Sequence, residues 1–243
     1  MTSEIPPNEP VTSFVLPIVK VRPGKEHDTL EFVALLGTCF LLADSGGLAM
    51  TARHVAKEIV IGETAVLFNR NGEWELAGVQ GVETHPVEDV ALIRLEPGDY
   101  HSPFKLSHFH AHASSQYMVW GYPDAILREL PPGRDSMTLP RQDLAYSEGH
   151  IRRRLTDIPL VNGPLGAKFY ELSVIAGNGC SGGPVTLHSP NMQWSVVGVY
   201  VGERRSPAVA DKGRIVQSEY LVGFATRTED LDDRFPKWSA LYE

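Results

Sequence analysis

The stretch from Gly177 to Pro184 constrains this chain most, because glycine occupies four of its eight positions. Residues without a Cβ are needed where a tight turn aims consecutive backbone N–H groups into one cavity. Ser181 lies inside the stretch, after Gly179 and Cys180. A serine that attacks a carbonyl group needs two such N–H groups pointing at the oxygen that becomes negative. The stretch therefore predicts either a nucleophile loop or a plain Gly-rich hairpin turn.

Short apolar runs separated by turn residues predict an all-β chain. Helical periodicity is confined to a turn near 52–58 and a polar segment near 228–234, and 203–214 reads as a long polar loop. Two sets of short strands favour a sandwich or barrels. The predicted strands are 15–19, 32–36, 40–42, 48–51, 64–69, 74–82 and 90–95, then 117–120, 143–147, 169–174, 185–188, 195–201 and 220–225.

Composition and charge exclude several classes of protein. A hydrophobic content of 42% supports a sizeable core, and a net charge of −8 argues against general nucleic-acid binding. No window reaches the roughly 20 apolar residues of a membrane span, and residues 1–7 lack the features of a signal peptide. Cys39 and Cys180 are the only cysteines, which fits a reducing compartment. We expect a cytoplasmic protein that binds neither nucleic acid nor membrane.

Two further segments carry side chains suited to proton transfer. His54 follows the predicted strand 48–51, and Asp89 precedes the predicted strand 90–95. A serine hydroxyl is a poor nucleophile until a base takes its proton, and histidine is suited to this because its pKa lies near neutrality. Each residue alone has a structural explanation, as a turn histidine, a turn acid and a hairpin serine. Their joint occurrence in the order histidine, aspartate, serine favours a catalytic explanation.

Together these segments resemble the trypsin/chymotrypsin-like serine protease family. Gly179–Pro184 matches its Gly-x-Ser-Gly-Gly-Pro loop, Thr51–His54 matches Thr-Ala-x-His, and 89–92 matches Asp-[Ile/Val]-Ala-Leu. The resemblance implies two six-stranded antiparallel barrels with the active site in the cleft between them. It also implies a peptide-bond hydrolase that needs no cofactor and works through an acyl-enzyme intermediate. The implied site residues are the triad His54, Asp89 and Ser181, and an oxyanion hole made by Gly179 and Ser181.

Other segments resemble the bacterial HtrA-type branch of this family. These are Gly37–Phe40, Gly121–Pro123 and Gly223–Ala225, although no PDZ-like segment follows them. The similarity covers roughly 30–228 and is weak between 125 and 168. The implied organisation is a flexible segment 1–12, a first barrel 13–100 with His54 and Asp89, a connector 101–115, a second barrel 116–228 with Ser181, and a partly helical segment 229–243.

The resemblance also suggests a substrate pocket. Trypsin-like enzymes that bind basic side chains carry an acid six residues before the serine, and Ile175 takes that position here. Val201 and Gly223 are the other expected pocket residues. No acid is evident among them, so we expect a small or apolar substrate side chain. The partner is a polypeptide substrate.

Cys180 departs from the family, where an acid before the serine pairs with a new amino terminus on activation. A thiol carries no charge near neutral pH and would leave a buried ammonium unpaired. We therefore expect a site that is competent directly or is gated by substrate, ligand or a regulatory protein partner.

Three alternatives remain open at the level of the sequence. Cys180 could be the nucleophile, as in viral cysteine proteases of this fold, although the glycines would then shift by one position. His108, His110 and His112 would share one face of a strand and could bind zinc, or they could be solvated histidines of a connector. The chain could also be a catalytically silent binding module or a non-peptide acyl hydrolase.

Overall fold

A computed structural model describes residues 11–24, 30–70, 73–123, 143–157, 165–189, 191–192, 194–209, 215–229 and 231. These residues form strands almost throughout, with a 3-10 turn at Val11–Ser13 and a short helix α1 at Arg53–Ala56. The strands are β1 (Val15–Pro23), β2 (Leu30–Leu41), β3 (Leu48–Thr51), β4 (Thr64–Arg70), β5 (Glu73–Thr84), β6 (Ala91–Leu95), β7 (Lys105–Leu106), β8 (Gln116–Gly121), β9 (Ala145–Leu155), β10 (Phe169–Leu172), β11 (Pro184–Leu187), β12 (Ser195–Val209) and β13 (Ile215–Arg227).

The first six strands close into an antiparallel barrel in the order β1-β2-β3-β6-β5-β4. The predicted runs 32–36 and 40–42 belong to one strand, because the intervening residues 37–39 continue the ladder with β1. The turn between β2 and β3 places Gly46 and Gly47 at φ values of +60° and +89°, which glycine adopts without strain. The predicted hairpin at this position is therefore present.

The second set of strands pairs in the order β11-β8-β9-β10-β13-β12-β7, and β11 also pairs with β12. That additional pairing joins the two ends of a six-strand series into a second barrel. The fold class expected from the sequence is thus correct. The short strand β7 is an addition, because it runs parallel to β12 within the expected connector 101–115.

Phe104 anchors the connector between the two barrels. Its ring is fully buried and meets Phe14, Phe40 and Trp194 edge-on, at centroid distances of 5.3, 5.6 and 5.7 Å. Edge-to-face geometry places the positive ring edge against a negative face. The same hydrophobic cluster contains Val199 and other residues of the second barrel, so one core serves both barrels.

A buried ion-pair cluster holds the end of β13. The side chain of Arg227 is 1% exposed, and its Nε donates to Glu229 Oε1 over 2.7 Å. Glu229 also accepts hydrogen bonds from Arg154 at 3.1 Å and from the Tyr170 hydroxyl at 3.0 Å. Each charge is therefore compensated, which buried charges require. In the part of the chain that the structure describes, no helix is long and apolar enough to cross a membrane.

Replacing Arg227 with leucine should destabilise the protein strongly, because Glu229 would keep a buried charge with less compensation. We expect the free energy of unfolding, measured in urea, to fall by about 3–5 kcal/mol. The matched control is Arg22→Ala, since the Arg22 side chain is 68% exposed in its pair with Glu31. That exposed pair should contribute at most about 1 kcal/mol. Equal losses in the two variants would contradict the role given to the buried cluster.

Candidate active site

His54 and Asp89 form a double hydrogen bond at the start of α1. The His54 backbone N–H donates to Asp89 Oδ1 at 2.9 Å, and His54 Nδ1 lies 2.9 Å from Asp89 Oδ2. Ala52, the residue before the helix, offers no side-chain cap, so Asp89 performs that role from the loop before β6. Because an ionised carboxylate only accepts, Nδ1 carries the proton and Nε2 is left as the basic nitrogen.

The loop that carries Asp89 is itself fixed by two buried side chains. His85 Nδ1 accepts from the Glu88 backbone N–H at 2.9 Å, and its Nε2 donates to the Leu231 carbonyl at 3.1 Å. Burial lowers the pKa of His85, so its neutral form is favoured. The Glu88 carboxylate accepts from the Ala167 N–H of the second barrel at 3.1 Å, and burial raises its pKa. Asp89 is therefore positioned relative to both barrels.

Ser181 lies in a turn in which two backbone N–H groups find no acceptor among the described residues. The Gly182 N–H donates to the Tyr200 carbonyl at 2.7 Å, and the Gly183 N–H donates to the Cys180 carbonyl at 2.9 Å. The N–H groups of Gly179 and Ser181 donate to no acceptor among the residues described. Gly179 adopts a φ of +90°, which its missing Cβ permits. An anion placed at this turn would find two unused donors.

Gly182 brings the serine turn against the strands that support His54. It adopts a φ of +95°, and a Cβ built on it would lie 2.0 Å from the Thr38 carbonyl oxygen and 2.2 Å from Thr51 Oγ1. Both distances are far shorter than any real carbon–oxygen contact. Only glycine allows this approach, which sets Ser181 beside the end of β3, immediately before α1 and His54.

Thr38 of β2 joins the serine turn to the first barrel. Its N–H donates to the Ser181 carbonyl at 2.9 Å, and its hydroxyl donates to the Gly179 carbonyl at 2.9 Å. The same hydroxyl accepts from the Tyr122 N–H at 3.0 Å, at the end of β8. This role of Thr38 was not predicted from the sequence. The available signal was the resemblance of Gly37–Phe40 to the HtrA-type branch.

The structure places Ser181 beside the histidine and aspartate without completing the hydrogen-bond chain. Within the described parts of the chain, no hydrogen bond joins the Ser181 hydroxyl to His54. The His54 side chain is 43% exposed, whereas that of Asp89 is 1% exposed. Catalytic hydrogen bonds are often long or unformed before substrate binds. The arrangement is thus a histidine–carboxylate pair near a serine whose hydroxyl makes no hydrogen bond to that pair in the described residues.

Cys180 points away from this site. Its side chain is fully buried, and Sγ donates to the Ala176 carbonyl at 3.2 Å. Burial, followed by the nearby Glu203 carboxylate, raises the pKa of the thiol to about 12. Since the thiolate is the nucleophilic form, a buried and protonated thiol is unreactive near neutral pH. This geometry gives no support to Cys180 as the nucleophile.

The three expected pocket residues lie on β12, on β13 and on the loop before the serine, and a Cβ on Gly223 would lie 3.0 Å from the carbonyl oxygen of Val174, next to Ile175. Gly223 lies on β13, and Ile175 is partly exposed on the loop before the serine. Val201 sits at a β-bulge between Tyr200 and Gly202 and packs into the core shared by the barrels. A bulge inserts one residue and breaks the alternation on which the placement of Val201 depended.

Tyr200 occupies the place expected for Val201. A Cβ on Gly223 would lie 3.1 Å from the Tyr200 ring, and the fully buried Tyr200 accepts a hydrogen bond on its hydroxyl from the Ala176 N–H at 3.1 Å. Tyr200 was not predicted as a pocket residue, because a bulge is not visible in the pattern of apolar residues.

The alternating histidines do not lie on a strand. Residues 107–112 adopt no regular structure, so the expected strand is wrong. His108 Nδ1 lies 3.3 Å from the Glu229 carbonyl oxygen, and His110 Nδ1 accepts from Arg154 at 2.7 Å. No group of three or more potential metal-ligating side chains occurs in the described part of the chain. These histidines help to attach the connector to the second barrel.

Comparison with solved structures shows the same fold. The protease domain of MamO from Magnetospirillum magneticum, in its apo form, is 15% identical with a TM-score of 0.58, over 93% of this chain and 97% of that chain. An inactive mutant form of Rv3671c from M. tuberculosis is 17% identical with a TM-score of 0.56, over 96% and 90% of the two chains. The HtrA-type protease AlgW with a decapeptide is 14% identical with a TM-score of 0.60, over 96% of this chain and 66% of AlgW.

At such low identities these likenesses establish the fold alone. A search of curated proteins found no match. A family model described as the trypsin-like peptidase domain matches residues 37–199, which is more than half of the chain and contains the histidine, aspartate and serine described above. The chain therefore belongs to the trypsin-like peptidase family and is, at the level of that family, a serine protease.

Proposed function

We propose that this protein is a serine endopeptidase that cleaves polypeptides with Ser181 as nucleophile, His54 as base and Asp89 as the residue that orients the base. The observation that carries the proposal is the double hydrogen bond between His54 and Asp89. The two unused N–H groups of Gly179 and Ser181 support it, because they suit an oxyanion hole.

Each group has a defined task in peptide hydrolysis. Ser181 Oγ attacks the carbonyl carbon while its proton passes to His54 Nε2, and Asp89 stabilises the resulting imidazolium. The carbonyl oxygen becomes negative and accepts from the Gly179 and Ser181 N–H groups, each worth roughly 3 kcal/mol of the barrier. The C–N bond breaks as His54 returns the proton to the leaving amine. Water, deprotonated by His54, then attacks the acyl ester, and the breaking C–O bond restores the Ser181 hydroxyl.

The proposal includes gating by substrate, ligand or a protein partner. Its basis is the missing hydrogen bond between Ser181 and His54, together with an uncharged thiol at Cys180 where a charged activation pair would need an acid. Rv3671c has been solved in forms described as active and inactive, so the fold accommodates more than one state. We also propose two barrels, at 13–100 and 116–228, joined by the connector 101–115. The proposed location is the cytoplasm, which is consistent with two unbonded cysteines.

Fluorophosphonate labelling tests the nucleophile directly. The purified protein should gain one adduct, mapped to Ser181, while Ser181→Ala should gain none and should still fold. Asp89→Asn should lower turnover by up to ~10⁴, because the histidine then favours the wrong tautomer. The measurements are intact mass, peptide mapping and the rate of casein cleavage. An adduct on full-length protein would show that no terminal cleavage is needed for competence.

The same experiment separates the alternatives. A protein that folds but is never labelled would fit a binding module. A protein that is labelled at Ser181 and hydrolyses esters, but leaves unfolded polypeptides intact, would be a non-peptide acyl hydrolase. Either result would contradict the endopeptidase proposal.

Cys180→Ser should keep activity within about tenfold, a change of roughly 1.4 kcal/mol in the barrier. The reason is that residue 180 contributes backbone geometry, while its thiol is buried and protonated. The measurement is kcat/KM on a peptide substrate beside wild type. A covalent acyl intermediate trapped on Cys180 would show that the serine assignment is wrong.

Thr38→Val should impair catalysis, since valine keeps the shape but removes the hydroxyl that bonds Gly179 and Tyr122. We expect kcat to fall about tenfold or more, and the free energy of unfolding to fall by about 1–3 kcal/mol, as two buried groups lose a partner. Thr38→Ser retains the hydroxyl and is the matched control. If valine and serine variants turn over equally fast, the hydroxyl has no positioning role.

A further inference from the structure

Glu203 lies on β12, three residues after Tyr200, whose carbonyl bonds the serine turn. It pairs across the sheet with Gly223, and Tyr200 pairs with Ala225 on the same two strands. Directly opposed residues of an antiparallel pair point to the same face, and residues two apart on β13 share that face. Tyr200 and Ala225 are both fully buried in the core of the second barrel. The Glu203 side chain therefore lies on the face of the sheet that carries the Tyr200 ring, and it is half-buried.

One oxygen of the Glu203 carboxylate lacks a hydrogen-bond partner among the described residues. Its Oε2 is shielded from solvent and has no hydrogen-bond partner in the described part of the molecule. Other buried acids are compensated, since Glu171 meets Arg152 and Arg153, and Glu229 meets Arg227. A carboxylate oxygen that is shielded from solvent is unfavourable unless a donor or an opposite charge reaches it. Glu203 can therefore pair with a cation that the described residues do not supply.

The carboxylate lies close to the nucleophile turn. The carbonyl of Tyr200, three residues before Glu203, accepts from the Gly182 N–H at 2.7 Å, immediately after Ser181. Burial raises the pKa of both Cys180 and Tyr200, and the negative charge of Glu203 raises both further, so Glu203 is near each of them. An acyl group on Ser181 would direct its side chain into this same region.

We propose that Glu203 receives the cationic side chain of a lysine or arginine on the amino side of the scissile bond. The proposal rests on the serine endopeptidase function proposed above. A guanidinium presents paired N–H donors that match a carboxylate, and an ammonium matches it as a point charge. The Tyr200 ring supplies an apolar wall for the methylene groups of either side chain.

This assignment replaces the small or apolar substrate side chain expected from the sequence. That expectation came from counting six residues back from Ser181 to Ile175, along the loop on one side of the pocket. The acid comes instead from β12 on the other side, after a bulge that no pattern in the sequence reveals.

Substrate profiling tests the assignment. A series of fluorogenic peptides differs only in the residue before the reporter group: arginine, lysine, glutamine, leucine or alanine. We expect wild type to favour arginine and lysine in kcat/KM by about tenfold to a hundredfold, the range for a hydrogen bond to a charged group. Glu203→Gln should lose that preference and leave cleavage after leucine and alanine nearly unchanged. Glu203→Asp keeps the charge and should retain the preference, and Glu75→Gln, on the exposed surface of the first barrel, should match wild type.

A binding measurement does not depend on turnover. p-Aminobenzamidine, a fluorescent aromatic cation, should bind wild type and compete with peptide substrate, and Glu203→Gln should bind it about tenfold or more weakly. If the fluorophosphonate labels Ser181 but the protein neither prefers cationic substrates nor binds p-aminobenzamidine, only the role of Glu203 is overturned. Faster cleavage of every peptide by Glu203→Gln would also overturn it, because the carboxylate would then block the pocket. Absence of labelling would instead overturn the endopeptidase function, and p-aminobenzamidine binding would still decide whether Glu203 holds a cation.

Discussion

The contact between Thr38 and the serine turn determines how the two barrels meet. One residue of β2 bonds to the carbonyls of Ser181 and Gly179, and its hydroxyl also accepts from Tyr122 at the end of β8. Buried polar groups tolerate few arrangements, because each donor and acceptor needs its partner. A shift of the serine turn would break several of these bonds together. The relative position of serine and histidine is thus set by satisfied backbone groups as well as by side-chain packing.

Other hydrogen bonds fix the interface between the barrels in the same way. Glu88 reaches from the aspartate loop to the Ala167 N–H, and His85 in that loop donates to the Leu231 carbonyl. Hydrophobic burial is non-directional and would allow the barrels to slide. Directional bonds at three places, together with the close approach of Gly182, select one arrangement. Glu203 differs from these groups because its Oε2 has no hydrogen-bond partner among the described residues.

The sequence predicted the fold class and the segments that carry His54, Asp89 and Ser181, because both depend on local patterns, whereas it did not predict the roles of Thr38 and Tyr200. The strand–turn–strand around Gly46, the helical turn bearing His54 and the Gly-rich turn bearing Ser181 are encoded by adjacent residues. The predicted loop 203–214 is instead largely strand, since β12 extends to Val209 and β13 begins at Ile215. Long-range pairing overrides a polar composition there. The bulge after Tyr200 likewise depends on the partner strand. The helix expected near 228–234 lies mostly outside the described residues.

Phe104 has a consequence for how this enzyme can move. Its ring is held edge-on by aromatic rings, Phe14 and Phe40 among them, at the centre of a core that both barrels share. A connector anchored in this way is not a hinge, so opening the cleft by swinging the barrels apart would expose that core to water. The change that engages Ser181 with His54 would then be confined to the side chains and loops around the serine turn. Loop motions take nanoseconds to microseconds, whereas hinge motions take microseconds to milliseconds. A gate of the kind proposed above would therefore act by ordering those loops, without moving one barrel against the other.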